Sequence, residues 1–208
     1  MPTHPTSGPT SRICSPPEYP FPINAALAEQ GRPVFDANCG QCHGTYGEDV
    51  SYPNLVIPLD VVGTNPDYAL TATDGSLNRF YDWVKRSYYG ELAEMAPAAG
   101  YIAPPLDGIW ATAPYLHNGS VPDIRSLLDS RLRPKYWQHR ILPRIYDPTV
   151  LGWEYESIQH GKSEAGDPDA NTRIYDTTLP GYGNGGHLFG DGLTEAERTV
   201  VIEYLRTL

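Results

Sequence analysis

The run Cys39-Gly40-Gln41-Cys42-His43 sets two thiols and an imidazole side by side. C-x-x-C-H is the pattern of covalent haem attachment. Two thiols on one tight turn can add to the two vinyl groups at one edge of a porphyrin, and the next residue then lies under the iron. Cys39 and Cys42 are therefore the expected attachment points and His43 the expected proximal ligand. Two other chemistries share part of this spacing. A redox dithiol needs a thioredoxin-like strand-helix-strand context, and half of a zinc site needs a second ligand pair at suitable spacing. The sequence offers neither.

The group on the far side of the iron has three candidates. His187 lies in Gly181-Tyr182-Gly183-Asn184-Gly185-Gly186-His187, a loop whose glycines permit close approach to a flat ring. Its alternative is a surface histidine. Met95 is the main rival, because methionine is a familiar axial ligand, although it also suits core packing. His117 is the third; His139 and His160 read as solvated side chains.

These residues must be positioned by flanking elements. Ala25, Ala26, Leu27 and Ala28, then Val34 and Phe35, suit a helix that delivers Cys39 at its end, with Gly31 allowing another backbone to come close. Pro33 should kink that helix or start a new one. Downstream of His43, Pro53 or Pro58 could offer a carbonyl to the second ring nitrogen and fix the imidazole. Thr194 and Glu197 make a capping-box pattern, and Val201, Tyr204, Leu205 and Leu208 share one face of a last helix expected to cross the first. Another helix is expected through Leu77, Phe80, Tyr81, Val84 and Tyr88. A shorter one at Ile124, Leu127 and Leu128 would be capped by Ser120 or Asp123, after turns at Pro114 and Asn118-Gly119. Residues 131–178 have no clear period and read as an extended insertion anchored by Trp137 and Trp153.

The run from Gly31 through Val34-Phe35 to Cys39 resembles the opening of cytochrome c domains, and Glu203-Tyr204-Leu205-Arg206-Thr207-Leu208 is similar to their last helix. Pro105-Leu106-Asp107-Gly108-Ile109-Trp110-Ala111-Thr112-Ala113-Pro114-Tyr115-Leu116-His117-Asn118-Gly119-Ser120 resembles the signature of the di-haem cytochrome c peroxidase superfamily, most nearly the C-terminal haem domain of bacterial rubber oxygenases. Tyr52-Pro53-Asn54, the run from Pro58 to Thr64, Tyr146-Asp147-Pro148 with Leu151-Gly152, and Asn184-Gly185-Gly186-His187 are similar to the same group. The resemblance implies a mainly α, cytochrome c-like haem domain with long irregular insertions over residues 24–208, behind a poorly ordered Pro-rich lead at 1–23. It also implies that His187 fills the slot before the last helix where small cytochromes c carry methionine. In rubber oxygenases one haem binds oxygen and a second, six-coordinate haem sits in the C-terminal part. With one C-x-x-C-H, the haem here would be the relay or structural one. Trp110 would then lie on an electron path between haems, unless it is a packing residue.

Composition bounds the functions. The 21 prolines, 20 glycines and 15 tyrosines are too many for a compact helical bundle and imply long irregular connections. A net charge of −10 opposes nucleic acid and anionic membrane surfaces, and suits a basic or neutral electron-transfer partner. No run approaches the roughly 18 consecutive apolar residues of a membrane span, so no membrane insertion is expected. Residues 1–22 lack the basic-then-apolar order of a secretory signal. Covalent haem attachment normally takes place on the oxidising side of a bacterial membrane. The expected location is therefore periplasmic or extracellular, with the chain a fragment or its true N-terminus upstream. Cys14 is left without a partner and reads as an incidental thiol.

The expected function is one covalently held haem c serving electron transfer in a larger di-haem oxidoreductase, with a donor or acceptor protein or a second haem domain as partner. The alternative is a peroxidase or oxygenase at an open iron, which requires that His187, Met95 and His117 all miss the metal. A third reading is a haem-containing structural module whose loops bind a partner domain.

Overall fold

In a computed structural model, residues 16–92, 94–140 and 142–208 of the chain are described. Helix α1 (Ala25–Asn38) starts where the Asn24 side chain accepts the Leu27 N–H and runs on through Pro33 to Cys39. One further turn, α2 (Gly40–His43), carries the motif. Strand β1 (Val56–Pro58) and helices α3 (Leu59–Val62) and α4 (Asp67–Thr71) follow. The apolar pattern through Tyr88 is broken at Ser87 into α5 (Asn78–Arg86) and α6 (Tyr88–Leu92). Strand β2 (Gly100–Ile102) then pairs antiparallel with β1, Ile57 opposite Tyr101.

Asp123 caps α7 (Ile124–Leu128) by accepting the Ser126 N–H. After it come β3 (Tyr136–His139), β4 (Tyr146–Asp147), β5 (Gly152–Trp153), β6 (Tyr155–Ser157), α8 (Pro168–Arg173) and β7 (Ile174–Asp176). The last helix, α9 (Glu195–Leu205), begins with the expected capping box: Thr194 accepts the Glu197 N–H while Glu197 accepts the Thr194 N–H.

Helices α1 and α9 cross at Gly31, where an added Cβ would stand 2.0 Å from the Val200 carbonyl oxygen. Only glycine lets the backbones meet so closely. The crossing buries Phe35 against Tyr204, ring centres 5.2 Å apart, in a core shared with Val121, Ile124, Leu151 and Val201. Each such large apolar side chain contributes on the order of 2 kcal/mol by leaving water.

The mainly α expectation fails. Helix accounts for 38% of the described residues and strand for 13%, the strands among them forming three small antiparallel sheets. The largest, ordered β6-β3-β7, lies in the stretch read as an irregular insertion. Its strands are three or four residues long, too short to display an alternating period. They are held instead by aromatic packing: Trp137, with no exposed surface, stacks on Tyr175 at 5.1 Å and donates its indole N–H to the Ser120 carbonyl. Trp153 packs edge-on against Tyr146. Residues 1–15 of the lead, with Cys14, lie outside the described residues. Beyond them Tyr19 packs edge-on against Trp110, and Phe21 stacks on Tyr146.

Candidate haem site

On the proximal side, α1 hands the motif to α2 without a gap. The Cys39 N–H donates to the Phe35 carbonyl at 2.7 Å and the His43 N–H to that of Cys39 at 3.0 Å. Gly44 then turns the chain at φ +86, where a Cβ would stand 1.8 Å from the Ser51 oxygen. Nδ1 of His43 lies 2.8 Å from the Pro104 carbonyl oxygen. An N–H there leaves Nε2 with its lone pair free, the tautomer a metal ligand needs. Neither Pro53 nor Pro58 supplies this bond. The β1–β2 pairing, prolonged by the Ala103 N–H to the Leu55 carbonyl, brings Pro104 in instead. The Tyr46 hydroxyl ties the same segments together, donating to the His43 carbonyl at 3.2 Å and accepting from the Leu106 N–H at 2.5 Å.

On the distal side, Gly186 and His187 both adopt positive φ, +76 and +47. A Cβ on Gly186 would stand 2.1 Å from the Gly63 carbonyl carbon, and the His187 N–H donates to the Val62 carbonyl at 2.6 Å. The left-handed turn costs His187 roughly 1–2 kcal/mol. Arg133 offsets it. Its guanidinium donates to the carbonyls of Asn184 and Gly186 at 2.7 Å and of His187 at 3.1 Å, and on its other side to those of Ser126 and Leu127 at 3.1 Å. Further along the loop the Asp191 carboxylate accepts both the Ser130 N–H, at 2.8 Å, and its hydroxyl, at 2.6 Å. These bonds hold the Asp191 carboxyl below its ordinary range.

The structure brings Cys39, Cys42, His43 and His187 onto one apolar cavity of about 440 Å³, walled also by Phe35, Leu106 and Leu128. The His43 and His187 rings lie 6.2 Å apart, centre to centre, tilted by 55°. Two metal–imidazole bonds of about 2 Å plus the reach from each ring centre to its nitrogen, about 1 Å, span roughly this distance. Nδ1 of His187 is buried with no hydrogen-bond partner, and burial pushes the imidazole down to about 4, which keeps it neutral. Burial, with Cys42 and Asp36 adding to it, raises the Cys39 thiol to about 11. Among the described residues no group of three or more His, Cys, Asp or Glu could hold a metal ion. Two imidazoles across an apolar slot therefore suit an iron that arrives with its own ring of nitrogens, and a haem fits the residues present.

The other candidates lie elsewhere or play another part. His117 lines the same cavity, but its ring stacks on Tyr101 at 3.9 Å. Met95 is 49% exposed and is neither in the core nor at this cavity; it lines a separate hollow with Phe80, Trp83 and Leu92. Trp110 is absent from the cavity wall. Its indole donates to the Pro17 carbonyl and packs edge-on against Tyr19 and Tyr146. His139 packs edge-on against Trp137, and His160 is exposed. Arg133, Pro104 and Tyr46 were not anticipated. All three act through backbone groups, which leave no mark in a side-chain pattern.

Residues 100–138 match a family model described as RoxA-like, cytochrome c-like. The matched stretch holds Pro104, whose carbonyl meets His43, and His117 and residues of α7, which line the same cavity as the C-x-x-C-H turn. The match supports a cytochrome c-like haem domain and points to haem c binding and electron transfer. The chain is similar to the uncharacterized protein y4iM of Sinorhizobium fredii, 29% identical over 196 residues that cover 83% of this chain and 43% of that protein. It is also similar to the uncharacterized protein y4iJ of the same species, 41% identical over 124 residues that cover 54% and 18%. The chain thus spans less than half the length of either relative. Among the described residues no helix is long and apolar enough to cross a membrane.

Proposed function

We propose that the chain is a c-type haem domain that transfers electrons, holding one haem through Cys39 and Cys42 with His43 and His187 as axial ligands. The observation that carries this reading is the pair of imidazoles 6.2 Å apart across a cavity that both cysteines line. A haem held there would supply a one-electron couple. The chain's own residues do the rest. Pro104 orients His43, Arg133 and Gly186 hold His187 in place, and the apolar wall excludes water, which tunes the couple.

Two protein ligands leave no open position for peroxide or oxygen, which favours electron transfer over a peroxidase or oxygenase at this iron. The greater length of both relatives is consistent with a place within a larger protein, and the resemblance of residues 105–120 to the di-haem peroxidase signature is what favours a di-haem oxidoreductase. A net charge of −10 suits a basic or neutral donor or acceptor surface, and haem attachment chemistry suits a periplasmic or extracellular location.

The test is expression beside a haem-attachment system, followed by a haem stain after denaturing electrophoresis and a pyridine haemochrome assay. One haem per chain should survive denaturation, and Cys39→Ala and Cys42→Ala should each lose a thioether. Haem removed intact by acid extraction of the wild type would refute covalent attachment.

A further inference from the structure

Haem is apolar except for two carboxylates, which lie at the edge opposite the vinyl groups that the cysteines take. A cavity that holds it must meet those carboxylates or leave them to water. Among the polar groups lining this cavity most are already engaged. The Asn38 amide donates to the Val34 carbonyl, the Thr112 hydroxyl to that of Ile109, and Gln41 lies within the C-x-x-C-H turn itself. His43 and His187 are the paired rings. Two groups remain. The Thr64 hydroxyl oxygen is buried without any hydrogen-bond partner, in a residue only 5% exposed. The His117 ring makes a stack and, among the described residues, no hydrogen bond.

Tyr101 holds these two groups on one stretch of wall. Its ring stacks on His117 at 3.9 Å with 16° between planes. Its hydroxyl donates to the carbonyl of Asn65, the residue after Thr64, at 2.7 Å, and accepts the Ala69 N–H at 3.2 Å. A buried hydroxyl without a partner costs roughly 1–3 kcal/mol, a cost that a ligand acceptor removes. Among the described residues no lysine or arginine lines the cavity, so the donors they offer the acceptor are neutral or imidazole.

We propose that Thr64 and His117 together bind one carboxylate of the haem, an assignment that rests on the haem reading of the site. The Thr64 hydroxyl and a His117 ring N–H donate to its oxygens, while Tyr101 keeps the imidazole edge-on to the cavity. The two residues fix the rotation of the macrocycle at the edge away from the thioethers.

Resonance Raman spectra of the holoprotein test this, because the carboxylate-side-chain bending band reports hydrogen bonding at that group. Thr64→Val keeps volume and removes the donor; His117→Phe keeps the stack and removes the nitrogens. The band should move to lower frequency in each variant and return in Thr64→Ser, while the spin-state bands stay fixed. Should Thr64→Val fail to accumulate, His117→Phe and His117→Asn carry the test. Attached haem with an unmoved band in the variants overturns this assignment alone, whereas a chain that takes up no haem overturns the reading of the site as well.

Discussion

Arg133 carries the distal side of the site, since one guanidinium binds five backbone carbonyls and three of them belong to the loop that presents His187. Burial lowers its affinity for the proton, and Asp191 and Asp129 act against that. Arg133→Gln should cost the holoprotein about 3 kcal/mol, because hydrogen bonds from a charged donor are the stronger kind and the carbonyls left behind are partly buried. Denaturant unfolding would measure it, and the ferric spectrum should show a new high-spin fraction from a loosened His187. The contrast with the proximal side explains what was legible. Covalent attachment needs contiguous residues, so Cys39, Cys42 and His43 stand out in the sequence. His187 stands out by its glycine-rich loop. Arg133 and Pro104 speak to main-chain atoms far away in sequence, and nothing in their own neighbourhoods marks them.

At the scale of elements the crossing of α1 and α9 does the positioning, because it fixes the end of α1 from which the cysteines hang. Gly31→Ala would drive a Cβ to within 2.0 Å of the Val200 oxygen and 2.9 Å of the Tyr204 Cβ. Backbone cannot yield cheaply, so the variant should lose about 2 kcal/mol or more in thermal unfolding and bind haem in lower yield. The loop before α9 should respond to acid. The Asp191 carboxyl is held below its ordinary value, first by the Ser130 hydroxyl and N–H. Its stabilising contribution is therefore complete above the unfolded value of about 4 and is lost as pH falls through the lowered folded value. Asp191→Asn should be less stable than wild type at pH 7, and the gap should close below about pH 4 in acid titrations followed by circular dichroism. Both framing helices were legible, from the apolar face of one and the capping box of the other. The β6-β3-β7 sheet was not: its short strands pair across gaps in sequence and declare themselves only once Trp137 and Tyr175 are stacked.

For the whole molecule the proposal is a single haem that α2 and the loop before α9 would hold, His43 and His187 being the residues that would bind its iron. Met95 is half exposed and lines a separate hollow. The most direct measurement is the optical and electron paramagnetic resonance spectrum of the ferric holoprotein, wild type beside His187→Ala. The wild type should be low-spin, without the sulfur-to-iron charge-transfer band that methionine ligation gives, and His187→Ala should turn it high-spin. A methionine band in the wild type, or a low-spin spectrum unchanged in His187→Ala, would contradict the account.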